Sequence, residues 1–258
     1  MKNFLIIILF PLFSNAQILT MDIIQVKEGR DKDYEAIEVF MIPIQKMAII
    51  EGKKMGWYIL KNIGGGDLSD IEDKGVVDYM ILSVYKDQDQ LNLDVWDSYL
   101  DIAKKAYKGK MSSRKIERMM SSIVDEGNPR KDTRTYTMEN IYYTKPNPHI
   151  VGNIYTVFPA EQLNEDYEQF EMEYFKPIWE KNILAGNHKN WEFNRIIDRT
   201  ENAYQNLTHI IFSQGVNGAS IDFPTDFRSD QLSKSGIASR KGYDTAKMEL
   251  IFMANLIF

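Results

Sequence analysis

Trp57 and Trp191, the carboxylate pairs Glu35/Glu38 and Glu168/Glu171, and His188 with Asn190 are the residues whose types and spacing suit chemistry. A tryptophan can wall a cavity between helix and sheet, where stacking and edge contacts orient a flat ligand; it can equally plug a core. Carboxylates three residues apart share a helix face. There they can act as acid and base or hold a cation, or they can form the solvated face opposite an apolar stripe. His188 and Asn190 beside Trp191 can make a polar lip over a pocket, with a half-exposed surface histidine as the plain alternative. The remaining histidines are His149 and His209, and the absence of cysteine excludes thiol nucleophiles and disulfides. No phosphate-binding loop, dinucleotide glycine pattern, nucleophile elbow or zinc-binding helix motif occurs. The glycine-rich acidic stretch 64–73 offers oxygen ligands for calcium, but its spacing does not match an EF-hand and an ordinary solvated loop accounts for it. No metal site is assigned.

The same residue types recur in order. Asp33, Tyr34, Glu35, Glu38, Pro43, Ile44, Ile49, Gly52 and Trp57 match Asp166, Tyr167, Glu168, Glu171, Pro177, Ile178, Ile183, Gly186 and Trp191. The Tyr-to-Pro spacing is nine residues in the first copy and ten in the second, while the Pro-to-Gly and Gly-to-Trp spacings are identical. A repeat this long is a domain-sized unit, so two units are expected to pack together. The extra residue before Pro177 can be absorbed as a π-bulge, or the helix can break and restart. Tyr34 and Tyr167 open the two helices and become candidate neighbours of any pocket that Trp57 and Trp191 wall.

Positioning these residues requires a helix and a following strand in each copy. Residues 18–26 read as a buried strand. A helix from about Asp33, capped by that side chain, carries Ile37, Met41, Ile44, Met47 and Ala48 on one stripe and ends at Gly52, with a kink expected at Pro43. Strands are expected over 56–60, 76–85 and 134–144, and helices over 91–107 and 113–124, with Trp96, Leu100, Ala103 and Tyr107 on one face. The prolines at 146 and 148 mark a linker. The second copy follows with a strand over 150–158 and a helix over 162–185 whose Phe170, Tyr174 and Ile178 face the sheet. Strands over 191–197 and 207–212, an irregular stretch 213–242 and a strand over 247–258 complete it. In this alignment His188 stands at the place of Lys54, and His209 at about that of Leu82.

Residues 1–16 combine a basic start, a short apolar run and Ala16 before a polar residue, the pattern of a signal peptide cleaved after Ala16. The run is shorter than the roughly 20 residues a spanning helix needs. A periplasmic or secreted location is expected, with no transmembrane segment in the mature chain. Loss of Lys2 leaves 30 basic against 37 acidic side chains. That acidity lacks the basic stripe that nucleic acid requires, so no nucleic-acid partner is expected.

Each copy therefore reads β-α-β-β-α-β, the ferredoxin-like order. Val26-Lys27-Glu28-Gly29-Arg30 followed by Asp33-Tyr34, the long helix, and Gly56-Trp57 entering the next strand resemble the dimeric α/β-barrel superfamily, which includes antibiotic-biosynthesis monooxygenases, haem-degrading monooxygenases and NIPSNAP-type proteins. The resemblance implies an α+β fold in which two tandem ferredoxin-like units, 17–145 and 146–258, pair their antiparallel sheets as an intrachain pseudo-dimer barrel. Residues 86–131, where it places the helix bearing the iron ligand of haem-degrading relatives, contain no histidine. No cofactor is assigned. The function expected is that of an exported protein binding a small, partly apolar or aromatic ligand near Trp57, Trp191, Tyr34 and Tyr167. A cofactor-independent monooxygenase with His188 and Asn190 as polar groups is the alternative, and a protein-interaction module using 213–242 is the third reading.

Overall fold

The computed structural model describes residues 17–66, 77–125, 127–144 and 149–255. The expected signal peptide, most of the acidic stretch and the linker prolines lie outside the described residues.

Four strands, β1 (Ile18–Val26), β2 (Gly56–Gly65), β3 (Tyr79–Tyr85) and β4 (Arg130–Tyr143), pair in the order β4-β1-β3-β2. The second set is β5 (Ile154–Gln162), β6 (His188–Arg199), β7 (His209–Gly215), β8 (Arg240–Gly242) and β9 (Ala246–Asn255). It pairs in the order β9-β5-β7-β6, with β8 continuing the β9 side of β5. Two seams join the sets: β2 on β9, where Trp57 faces Ala254, and β4 on β6, where Asn140 faces Asn194. Every pairing is antiparallel, and the eight long strands close into a ring.

Closure divides side chains by the period of two that a strand imposes. One set fills the lumen, including Met21, Leu60, Met80, Met138, Val157, Phe212 and Met248. The alternate set faces outward beneath the helices: Ile24, Trp57, Ile59 and Ile81 in the first half, and Trp191, Phe193 and Ile211 in the second.

The first helical layer is α1 (Asp31–Ile50), α2 (Gln88–Leu93), α3 (Tyr99–Ala106) and α4 (Ser113–Ser122). Helix α1 continues through Pro43 and buries Tyr34, Glu38, Met41, Gln45 and Ala48, one stripe at steps of three and four. Its N-cap position is Arg30, and Asp33 lies in the first turn paired to the Arg30 side chain, so Asp33 is not the cap. The expected continuous helix over 91–107 is interrupted between α2 and α3. Its buried face is Tyr99, Ile102 and Ala103, while Trp96 is 44% exposed.

In the second half α5 (Tyr167–Phe170) passes through a π-helical segment, Glu171–Phe175, into α6 (Lys176–Leu184). The extra residue before Pro177 is thus accommodated inside the helix. Tyr167 and Glu171 set the buried face, which resumes at Phe175 and Ile178 after the π turn. Phe170 and Tyr174 are consequently only half-buried, and the Tyr174 hydroxyl donates to the Ser229 carbonyl at 2.7 Å. The stretch 213–242 is more regular than its composition suggests. It holds α7 (Phe227–Ala238), whose N-cap Asp226 accepts from the Ser229 amide at 3.1 Å.

Both long helices end in the same Schellman motif. Gly52, at φ +75°, donates to Ile49 while Lys53 donates to Ala48; Gly186, at φ +78°, donates to Ile183 while Asn187 donates to Asn182. The cap sends the chain back towards the sheet, and the shared five-residue step from glycine delivers a tryptophan beneath the helix in each half. Among the described residues no helix is long and apolar enough to cross a membrane.

Met248 is fully buried in the lumen opposite Asn62 and Tyr155. Met248→Ala is expected to cost about 3 kcal/mol through lost burial and the cavity left behind. It would be read as a lower urea midpoint with an unchanged slope; a cost near zero would show that the lumen is not close-packed.

Candidate functional site

The repeat places matching side chains at matching points of the two halves. Strand register fixes the correspondence: Ser83 lies opposite Trp57, and Ser213 lies opposite Trp191. Four residues before each serine stand Tyr79 and His209, so His209 corresponds to Tyr79 and not to Leu82. The Tyr79 hydroxyl donates to Glu35 at 2.8 Å and Lys61 pairs with the same carboxylate at 2.7 Å. In the second half His209 Nε2 lies 3.1 Å from Glu168, and Arg195 pairs with that carboxylate at 3.0 Å. Both histidine nitrogens of His209 are engaged, the other with Thr208 Oγ1 at 2.9 Å, and burial holds the imidazole below its usual pKa.

Glu38 and Glu171 do not form a solvated face. Each is about 1% exposed and pairs with an arginine: Glu38 with Arg130 at 2.8 Å, and Glu171 with Arg240. Arg130 opens β4 and Arg240 opens β8, so each pair ties the long helix to a strand late in its half. The guanidinium carbons lie 5.6 Å from the Tyr34 ring and 5.5 Å from the Tyr167 ring. Both tyrosines are fully buried. Burial pushes the Tyr167 phenol up to about 12, and burial with the neighbouring Glu38 also holds Tyr34 well above the usual phenol range. Neither tyrosine lines the cavity that Trp57 or Trp191 walls; each sits in the core beside its Glu–Arg pair.

A cavity lies between helices and sheet in each half, and a tryptophan walls each one: Trp57, 2% exposed, and Trp191, 1% exposed. Their chemistries differ. The first cavity, about 250 Å³, is polar and contains Asp22, Glu38, Lys54, Asp94 and Arg130. Lys54 Nζ is 2.8 Å from Asp94, which also accepts from Tyr85 at 2.7 Å and Tyr99 at 2.6 Å. Burial lowers the Lys54 pKa and raises that of Asp22, whose carboxylate accepts from Thr135 at 2.6 Å. The second cavity, about 350 Å³, is mostly apolar, with Phe175, Trp179, Trp191, Ile211, Phe223 and Ile237 around it and the Glu171–Arg240 pair at its edge.

His188 and Asn190 do not form one lip. His188 is buried on the helix side, its Nε2 3.0 Å from Ser213 Oγ and its ring 4.9 Å from Trp179. Asn190 points the other way, accepting from Thr144 at 2.9 Å and donating to Glu192 at 2.7 Å. Alternation along the strand separates Asn190 from Trp191. A shift of register between His188 and Asn190 lets His188 face the helices. His149, the third histidine, lies at a lumen cavity of about 50 Å³, with Nδ1 2.7 Å from the Tyr155 hydroxyl. Among the described residues no group of three metal-ligating side chains converges. The Ser213 partner of His188 and the two half-buried arginines, Arg130 and Arg240, were not singled out by sequence reasoning; the strand register that brings them in is invisible to spacing along the chain.

No protein-family model matches the chain, and no curated protein does. Solved structures do. A candidate monooxygenase from Lactobacillus acidophilus superposes with a TM-score of 0.55 at 10% identity, over 93% of this chain and 96% of that one. One from Fusobacterium nucleatum gives 0.53 at 11% identity, over 93% and 94%. An anthrone oxidase-like protein gives 0.53 at 8% identity, over 93% and 92%. The chain shares with them an α+β fold built on a large antiparallel sheet. At these identities the likeness is one of fold.

Glu192 lines the lumen cavity, and burial raises its carboxyl above the ordinary range against a single Asn190 hydrogen bond. A carboxyl whose folded pKa exceeds its unfolded one holds its proton more tightly when folded. Stability from this site therefore falls as pH rises from about 4.3 through the raised value. Glu192→Gln is expected to be more stable than the parent above that window and to converge with it in acid. Thermal melts at pH 4 to 9 read this, and parallel curves for both proteins would refute it.

Proposed function

We propose that this is an exported protein built of two tandem ferredoxin-like units, 17–145 and 146–258, whose sheets pair as an intrachain pseudo-dimer, and that the second unit binds a small, flat, partly apolar ligand. The carrying observation is the second cavity: aromatic rings on several sides and a buried ion pair at the edge, the combination that suits an aromatic skeleton bearing a polar substituent. The equivalent strand orders of the halves support the tandem reading. The first cavity already contains its own cation and carboxylates, which favours the second for an apolar guest.

A second reading, a cofactor-independent monooxygenase, draws support from the descriptions of the superposed structures as candidate monooxygenases and an anthrone oxidase-like protein. In it the cavity would hold a readily oxidised phenolic or anthrone-like substrate and exclude water, with His188 nearby as a polar group.

Protein purified from its export compartment and unfolded should release a stoichiometric organic molecule detectable by mass spectrometry; a clean blank would count against a resident ligand. Anthrone is the probe for the site itself. Phe223, 39% exposed at the cavity, can be shortened without opening the core. Phe223→Ala should weaken anthrone binding about tenfold, equivalent to roughly 1.4 kcal/mol, with the melting curve unchanged. An unaltered affinity would remove the second cavity as the site. Oxygen uptake on adding anthrone, slowed in His188→Ala, would establish the oxygenase reading, and no uptake would dismiss it for this substrate class.

A further inference from the structure

We propose that Ser213 and His188 form a nucleophile–base dyad that cleaves small aryl esters bound in the second cavity. Ser213 lines that cavity, and its Oγ is 3.0 Å from His188 Nε2, within the hydrogen-bond reach that a serine and its general base require. The base stands behind the nucleophile: His188 is 5% exposed and packed under Trp179. It comes to the helix side only because β6 shifts register between His188 and Asn190, the kind of irregularity that re-aims a side chain. Burial keeps the imidazole below its usual pKa, so it is neutral at pH 7 and able to accept a proton.

The first half provides an internal comparison. Lys54 and Ser83 occupy the corresponding positions, with Nζ 3.4 Å from Oγ, but Lys54 is bound to Asp94 at 2.8 Å. An ammonium held by a carboxylate cannot take a proton. Among the described residues no carboxylate is hydrogen-bonded to the His188 ring, so only the second half retains a free base beside its serine.

The inference rests on the reading that the second cavity takes a partly aromatic guest, and it adds the reaction. Ser213 Oγ bonds to the ester carbonyl carbon while its proton passes to His188 Nε2. The bond from that carbon to the aryloxy oxygen then breaks, and Nε2 returns the proton to the departing phenol. Water repeats the sequence on the acyl-serine, releasing the acid and restoring both side chains, with no change in oxidation state.

Phenylmethanesulfonyl fluoride is the first probe, because its benzyl group matches the aromatic walls and its sulfonyl transfer to serine releases fluoride. Intact-mass analysis should show a single adduct, mapping to the peptide that contains Ser213. The adduct should be absent in Ser213→Ala and form about 100-fold more slowly in His188→Gln, the usual scale of a lost general base. Hydrolysis of 4-nitrophenyl butyrate should fall in parallel in both variants. A folded parent protein that takes no adduct at Ser213, or hydrolysis unchanged in Ser213→Ala, would overturn the dyad and leave the serine as a structural partner of a buried histidine. Anthrone titration separates the two proposals: binding without acylation removes only the dyad, whereas neither binding nor acylation removes both.

Discussion

The closed ring of antiparallel strands is the constraint on which everything else depends. A sheet with free edges leaves rows of unpaired amides and carbonyls, whereas β2 on β9 and β4 on β6 leave the eight long strands no unpaired side. Closure also assigns every strand residue to one of two environments. Odd and even positions go to the lumen or to the helix layer, so Asn190 and Trp191, neighbours in sequence, belong to different cores. The lumen is filled largely by Met, Leu, Ile and Val, and the cavities of interest lie outside it, under the helices.

Within that frame the two halves use one positional scheme with different chemistry. Tyr79 and Lys61 surround Glu35 as His209 and Arg195 surround Glu168. The arginine pairs of Glu38 and Glu171 are the most alike, and both cross from the long helix to the start of a later strand, β4 or β8. Taking such a charge out of water is costly unless its partner goes with it. The helix position is therefore coupled to strand pairing in each half. The greatest departure lies at the end of the helix, where Lys54 gives way to His188 and the acidic partner Asp94 has no bonded counterpart among the described residues.

Much of the fold was legible because it rests on local rules. The repeated Ile-to-Gly ending predicts the same helix stop in both halves, and Gly52 and Gly186 adopt it with positive φ. The single-residue difference before Pro177 was visible as spacing, and the π segment absorbs it. Which polar groups are buried depends on partners distant in the chain, and spacing does not show it. Glu38 and Glu171 read as solvent-facing because their arginine partners are 92 and 69 residues away in the chain. His209 falls near Leu82 by sequence order because the loops before the two strands differ in length, and only the hydrogen-bond register shows that its counterpart is Tyr79. The helix α7 was hidden in a stretch of Ser, Gly and Asp, composition that is equally at home in loops.

The two seams also determine how a guest can move. Parting the halves would break hydrogen bonds along β2–β9 and β4–β6 together, so the barrel cannot gape like a hinged pair of domains. The helical cover of the second cavity is held differently: Tyr174 reaches α7 through one hydroxyl bond, and Ser233 and Ile237 of α7 form part of the cavity wall. A guest of that chamber, if bound as proposed, would therefore pass through the roof and leave the staves in place.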